Sequence, residues 1–241
     1  MTPNTEQTVR EIAINNPAAV RVFESVGIDY CCGGKRPLQE ACDRAKVPVA
    51  RVLELLADVK PEPVSPEEKQ WADASFLDLT EHIVARHHNY IRQEAPRLEM
   101  LLDKVVSKHG VAHPELSSIR ELFSAMSQEL FAHMLKEEQV LFPFLQKMEA
   151  AARTGAPPPC ACFGSVGAPI ARMLADHDDA GALTAGMRAL SGNYQAPDGT
   201  CPSYRGLYHG LEEFERDLHH HVHLENNILF PRALAMERTL Q

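Results

Sequence analysis

The chain has 241 residues, 24 Lys and Arg against 33 Asp and Glu, and a formal charge of −9. That length fits one large domain or a domain with a small companion, 44% hydrophobic residues exclude a disordered chain, and the acidic balance argues against a nucleic-acid binder. No apolar run approaches the ~20 residues of a membrane helix. The opening stretch MTPNTEQTVREIAINN lacks the basic and apolar regions of a signal peptide. The expectation is a cytoplasmic protein with no membrane and no nucleic acid among its partners. Its six cysteines then serve as thiols, ligands or redox groups rather than structural disulfides. The unusual count is twelve histidines.

In chain order, Thr8 is placed to cap a helix through Val20, with Val9, Ile12, Ala13, Val20 and Phe23 near helical spacing. Gly27 stops this stretch, and Gly33-Gly34 makes a second break. An amphipathic run follows with Val49, Val52, Leu53, Leu55 and Leu56. Residues 1–59 therefore read as a small helical domain, marginal alone by core size. Prolines at 61, 63 and 66 make residues 60–70 an extended linker. From 71 to 241 four long helices are expected: Ser75 to His109, kinked at Pro96; Glu115 to Met148; Ile170 to Leu190; and Tyr204 to Met236. Turns or loops at 110–114, 152–169 and 191–203 separate them. The fold class is all-α: an antiparallel up-down four-helix bundle with a small N-terminal helical domain.

Two segments repeat each other: H-M-L-K-E-E-Q-V-L-F-P from His133 and H-V-H-L-E-N-N-I-L-F-P from His221. In each, a Glu follows the His by four positions and so shares its helical face. His133 with Glu137, and His221 with Glu225, each aim an imidazole and a carboxylate at one point. His88 precedes His133 by 45 residues and His177 precedes His221 by 44. Running up one helix from His88 to the turn and back down to His133 gives ~34 Å and ~30 Å at 1.5 Å per residue, so the two lie level. The bundle should thus gather His88, His133, Glu137, His177, His221 and Glu225 in one layer. A lone histidine on an amphipathic helix is most simply a surface group; a repeated pair at matched heights is a metal site. Six ligands exceed the four of a structural zinc and suit two metals. His109, ~31 Å from His88 along its helix, and His113 fall outside the layer. His87, His219, His220 and His223 lack the matched Glu. Leu135, Val140, Leu141, Phe142, Ile228, Leu229 and Phe230 read as apolar core around the ligands.

Together with D-Y-C-C-G-G-K at 29–35, R-H-H-N around His88, H-D-D-A-G at 177–181 and L-F-P-R-A-L at 229–234, these motifs resemble the RIC (repair of iron centres, ScdA/DnrN-type) family of hemerythrin-like di-iron proteins. The resemblance covers nearly the whole chain. It carries the family's ligand pattern onto the same six residues. It implies two iron ions, oxo-bridged, with both Glu bridging. It also implies the repair of iron–sulfur clusters damaged by nitrosative or oxidative stress, through iron donation to damaged iron–sulfur proteins. Nitric oxide binding or reduction at the di-iron centre is the alternative, and a hemerythrin-like oxygen sensor a further one, with NO or O2 as small ligand and the chain a monomer or dimer.

Cys31 and Cys32 are adjacent and precede Gly33-Gly34-Lys35-Arg36. The glycines suit a tight turn that exposes the thiols, and the two basic residues should favour thiolate. The functional reading is a catalytic thiol pair that passes electrons, iron or NO. Cys160 and Cys162 are expected at the bundle pole nearest the linker, and Cys201 at the opposite pole.

Overall fold

A computed structural model of the protein describes residues 3–59, 71–160 and 163–240; the whole of the expected linker, 60–70, and Cys162 lie outside the described residues. The chain forms two compact units, Met1–Leu79 with His219–Gln241, and Thr80–Leu218. No strand is present among the described residues; the one extended pairing is an isolated bridge between Thr8 and Pro37.

The first unit begins with four short helices, α1 (Val9–Asn15), α2 (Ala19–Ser25), α3 (Leu38–Ala45) and α4 (Val49–Asp58). Thr8 caps α1 as expected: its hydroxyl accepts from the Glu11 amide while Glu11 accepts from the Thr8 amide, a reciprocal capping box. The helix does not continue to Val20. It ends at Asn15, and α2 starts afresh at Ala19. Pro17 explains the break, since it disfavours helical backbone at Asn16 and supplies no N–H. Val9, Ile12, Phe23, Leu38, Val52 and Leu56 are buried in one apolar cluster, so this region has its own core. The same unit contains α11 (Phe230–Leu240). There Arg232 donates to the backbone carbonyls of Trp71 and Ala74 and lies 4.9 Å over the Phe76 ring.

The second unit is the up-down bundle. Its first helix is α5 (Phe76–Ile83), a wide π turn (π1, Val84–His88) and α6 (Asn89–His109) in one run, passing through Pro96. The second is α7 (Glu115–Lys136), a π turn (π2, Glu137–Leu141) and α8 (Phe142–Thr154). The third is α9 (Gly167–Leu190); the fourth is α10 (Pro202–His223), which a third π turn (π3, Leu224–Leu229) joins to α11. Cross-helix pairs establish the antiparallel order. Arg92 meets Glu138 while Arg120 meets Asp103. His133 meets His177 while a Cβ at Gly186 would touch Leu122. Tyr90 packs on Phe214 and His109 on Tyr204. Leu98, Leu102, Ile119, Phe123, Met126 and Phe214 are among the buried residues of this unit.

The expected apolar surroundings of the ligands hold for Leu141, Phe142, Ile228, Leu229 and Phe230, all buried. They fail for Leu135 and Val140, which are 52% and 47% exposed. Leu135 lies two positions past His133, a rotation of about 200° that turns it to the opposite face of the helix.

Candidate metal centre

Four expected ligands lie in the bundle unit, and the structure brings them together. Glu137, wholly buried, stands between two imidazoles: its Oε2 is 3.5 Å from His88 Nε2 and 3.3 Å from His133 Nε2. His177 Nε2 faces His133 Nε2 at 3.1 Å. His133, Glu137 and His177 each offer a ligand atom within 4.8 Å of the others. In the other unit, His221 Nε2 lies 3.0 Å from Glu225 Oε1, and both residues are buried. The i,i+4 pairing read from the repeat therefore holds on both segments.

The imidazoles are aimed by carboxylates that the sequence reading missed. His88 Nδ1 meets Glu138 Oε1, which also accepts from Arg92 Nη2 at 2.6 Å. His133 Nδ1 lies 3.3 Å from Asp176 Oδ2, which Lys136 also contacts at 3.3 Å. An ionised carboxylate only accepts, so each Nδ1 carries the hydrogen, and in the neutral imidazole Nε2 is then the atom with a lone pair for a cation. Burial raises the Glu138 carboxyl, but the His88 and Arg92 hydrogen bonds outweigh it and hold the group below its ordinary range. Asp176 is likewise held low, with burial opposed by His133 and Lys136. Both stay ionised at neutral pH. The only sequence signal for these two is adjacency to a ligand, Glu138 after Glu137 and Asp176 before His177; neither indicates the helix it reaches.

Imidazole nitrogens converging on a dry carboxylate fit a transition-metal ion, the nitrogen donors being suited to iron, zinc, copper or nickel alike. Hydrogen-bonded outer carboxylates complete the usual pattern for histidine ligands.

Three π turns lie on the segments that carry expected ligands. π1 ends on His88, π2 begins on Glu137, and π3 contains Glu225. In each the following amide reaches back five residues: Asn89 to the Val84 carbonyl, Phe142 to Glu137, Phe230 to Glu225. Two of these precede the Leu-Phe-Pro motif. Pro143 and Pro231 have no N–H for the carbonyl four residues back, and their rings crowd it. One extra residue in the turn relieves that crowding and swings the Glu inward. Such bulges are frequent at functional sites.

Among the remaining histidines, His87 is buried with Nδ1 3.1 Å from Asp217. His223 is also buried; its Nδ1 accepts from Asn227 at 3.0 Å, and burial pushes its pKa down to about 4. Neither is a surface group. His109 and His113 pack on Tyr204 at the far end of the bundle, as the helix ruler required.

The Cys-Cys turn belongs to the same unit as π3. Asn226 Nδ2 donates to the Cys31 carbonyl at 3.3 Å and Asn227 Nδ2 to the Tyr30 carbonyl at 3.0 Å. The two residues after Glu225 thus grip the turn that carries the thiols. Gly34 is required there: a Cβ would lie 2.6 Å from Asn227 Oδ1 and 2.9 Å from the Tyr30 carbonyl. The expected exposed thiolate is corrected in two respects. Cys31 is buried, and only Cys32 is partly accessible. The Cys31 thiol is raised, by its contact with Cys32, by burial and by Asp29. Arg36 is turned to Asp29, at 3.6 Å, and to Glu40. The two sulfurs are 4.0 Å apart as free thiols, and Asp29, Cys31 and Cys32 offer ligand atoms within 4.8 Å of one another.

Residues 79–233 match the family described as the hemerythrin HHE cation-binding domain, which defines the bundle as a hemerythrin-type, cation-binding domain. Residues 5–60 match the ScdA_N domain of unknown function (DUF542). The chain belongs to the hemerythrin-like RIC family that its motifs resemble. It is 33% identical to a Haemophilus influenzae protein named "Probable iron-sulfur cluster repair protein", over 95% of this chain and 97% of that one. It is 33% identical to the iron-sulfur cluster repair protein YtfE of Citrobacter koseri and 34% to that of Salmonella choleraesuis, in both cases over 96% of this chain and 98% of theirs.

Proposed function

We propose that this protein is a cytoplasmic di-iron protein that repairs damaged iron–sulfur clusters by donating iron. His88, His133, Glu137, His177, His221 and Glu225 are its ligands, and the two irons are oxo-bridged. The observation that carries this reading is Glu137, fully buried between two imidazoles whose outer nitrogens are held by carboxylates, with the His221–Glu225 pair repeating the motif. When bound, the iron pair supplies an exchangeable, redox-active metal. The chain's own residues do the rest. Glu138 and Asp176 fix the Nδ1–H tautomer of His88 and His133 and make Nε2 the more basic donor, and Leu141, Phe142, Leu229 and Phe230 keep the ligands dry. Residues 1–59 form the thiol-bearing domain and residues 71–241 the metal-bearing one. The grip of Asn226 and Asn227 on the Cys31 turn favours Cys31 and Cys32 as the thiols that pass iron onward.

Metal analysis of the purified protein tests the site. About two irons per chain are expected, Ala substitution of any of the six ligands should lower that content, and His109→Ala should not. Zinc alone would overturn the reading. The iron-loaded protein should then reactivate a damaged cluster enzyme, and Cys31→Ser/Cys32→Ser should keep the iron but lose reactivation. Nitrous oxide formed from NO by the diferrous protein, without reactivation, would instead support nitric oxide reduction.

A further inference from the structure

Cys201 lies far from the Cys31 turn in sequence and at the bundle end opposite the ligands. A tight turn delivers it: Gly199 takes φ +77°, and Thr200 Oγ1 donates to the Pro197 carbonyl at 2.8 Å. Cys201 then occupies the N-cap of α10, its carbonyl accepting from the Tyr204 and Arg205 amides at 3.1 and 3.2 Å. Ser, Thr, Asp or Asn normally fill that position, because their side-chain oxygen accepts the first amides of the helix. Here a cysteine stands instead, and it is partly accessible to solvent.

A second helix brings a base. His109, at the end of α6, places Nε2 3.2 Å from Cys201 Sγ. The ring is held edge-on to buried Tyr204, with centroids 5.5 Å apart, and His113 also packs edge-on to Tyr204 at 5.4 Å. Lys104 and Lys108, one turn apart on α6 and exposed, add positive charge. His113 in turn engages Glu115 at 3.1 Å. The Cys201 thiol sits below its ordinary range, through the Tyr204 and Ser203 amides and the Lys108 and Lys104 charges, with burial opposing. A thiol within hydrogen-bond reach of an imidazole, at a helix N-terminus, is the arrangement of an activated nucleophile.

We propose that Cys201 and His109 form a second thiol site that exchanges with anionic low-molecular-weight disulfides of the glutathione type. The Cys201 thiolate attacks one sulfur of the disulfide, a new S–S bond forms to Cys201, and the original S–S bond breaks. Its electron pair leaves on the departing sulfur, which takes the proton held by His109 Nε2. Lys104 and Lys108 receive the carboxylates of the incoming molecule. The result is a reversible mixed disulfide on the bundle, chemically separate from the iron site and from Cys31 and Cys32.

The test uses the full-length iron-loaded protein with glutathione disulfide at neutral pH, read as modification rate per cysteine by peptide mass mapping. Cys201 should react at least about threefold faster than the more exposed Cys160, the gain in thiolate being partly offset by lower nucleophilicity. His109→Gln should slow Cys201 by about threefold and leave Cys160 unchanged. Lys104→Gln/Lys108→Gln should slow the reaction with glutathione disulfide but not with neutral hydroxyethyl disulfide. Equal rates at Cys201 and Cys160 in the unaltered protein would overturn the proposal without recourse to any variant. So would a His109→Gln protein that reacts as fast as its parent.

Discussion

Glu138 and Asp176 decide how His88 and His133 present themselves. Each accepts from an Nδ1 and is itself held by a cation, Arg92 or Lys136. Glu138→Gln or Asp176→Asn keeps the shape but lets the side chain present N–H instead of oxygen to Nδ1. Iron affinity should fall by about 10- to 100-fold, measured by competition with a chelator. Unaltered affinity would show that the imidazoles need no such support. His82 gives the pH dependence. Burial, then the neighbouring His87 and Arg86, lowers its pKa from 6.5 to about 4. A depressed folded-state value means that the unfolded chain takes up the proton first as the pH falls. The contribution of His82 is therefore present above 6.5 and is lost between 6.5 and about 4. In His82→Gln the loss of urea stability over that interval should be shallower than in the parent; identical slopes would refute it.

The π turns are where short motifs become geometry. Leu-Phe-Pro read as ordinary helix core, yet each Pro removes an amide just beyond the turn that holds Glu137 or Glu225. Pro143→Ala or Pro231→Ala restores a donor and removes the clash, so the turn can relax to α-helical winding. Rewinding would rotate Glu137 or Glu225 by about 100°, one residue's turn. The expected outcome is full helicity by circular dichroism with markedly weaker iron binding. A variant that binds iron as tightly as the parent would separate the prolines from the wide turns. His177, a proposed ligand, sits on α9, which winds regularly from Gly167 to Leu190, and it has no Glu four residues later. The wide turn therefore accompanies the Glu-bearing segments and the His88 segment rather than ligation as such.

At the scale of the whole chain, burial of the proposed ligands ties metal to folding. Glu137 and Glu225 have no solvent exposure, and burying a carboxylate is costly unless a cation or donors compensate. Metal that binds only the folded chain stabilises it by mass action, by about 2.7 kcal/mol when the free ion is at 100 times Kd. Stripping iron from the loaded protein should lower its Tm, and restoring ferrous iron should raise it again in a concentration-dependent way. A Tm indifferent to iron would mean that the buried set does not hold it. The N-terminal helices add a separate dependence, because their own core of Val9, Ile12, Phe23 and Leu38 is small.

Much of this was readable from the residue order. The fold class, the antiparallel helix order and the histidine–glutamate pairs follow from helical period and rise, which are local and the same in every helix. The exclusion of His109 rested on that ruler too, and it placed the residue at the end where it meets Cys201. What period and rise do not contain is the partner a side chain finds on another element. Glu138 reaches His88 across 50 residues, and Asn227 reaches the Tyr30 carbonyl across 197. Arg36, next to the thiols in sequence, turns instead to Asp29, and Cys31 is buried rather than exposed. Twelve histidines in the composition posed the question; spacing selected four of them, and packing against carboxylates settled which ring nitrogen each of two of those four presents. Helix geometry is carried by every few residues of chain, whereas the protonation, burial and aim of a side chain depend on what folding brings beside it.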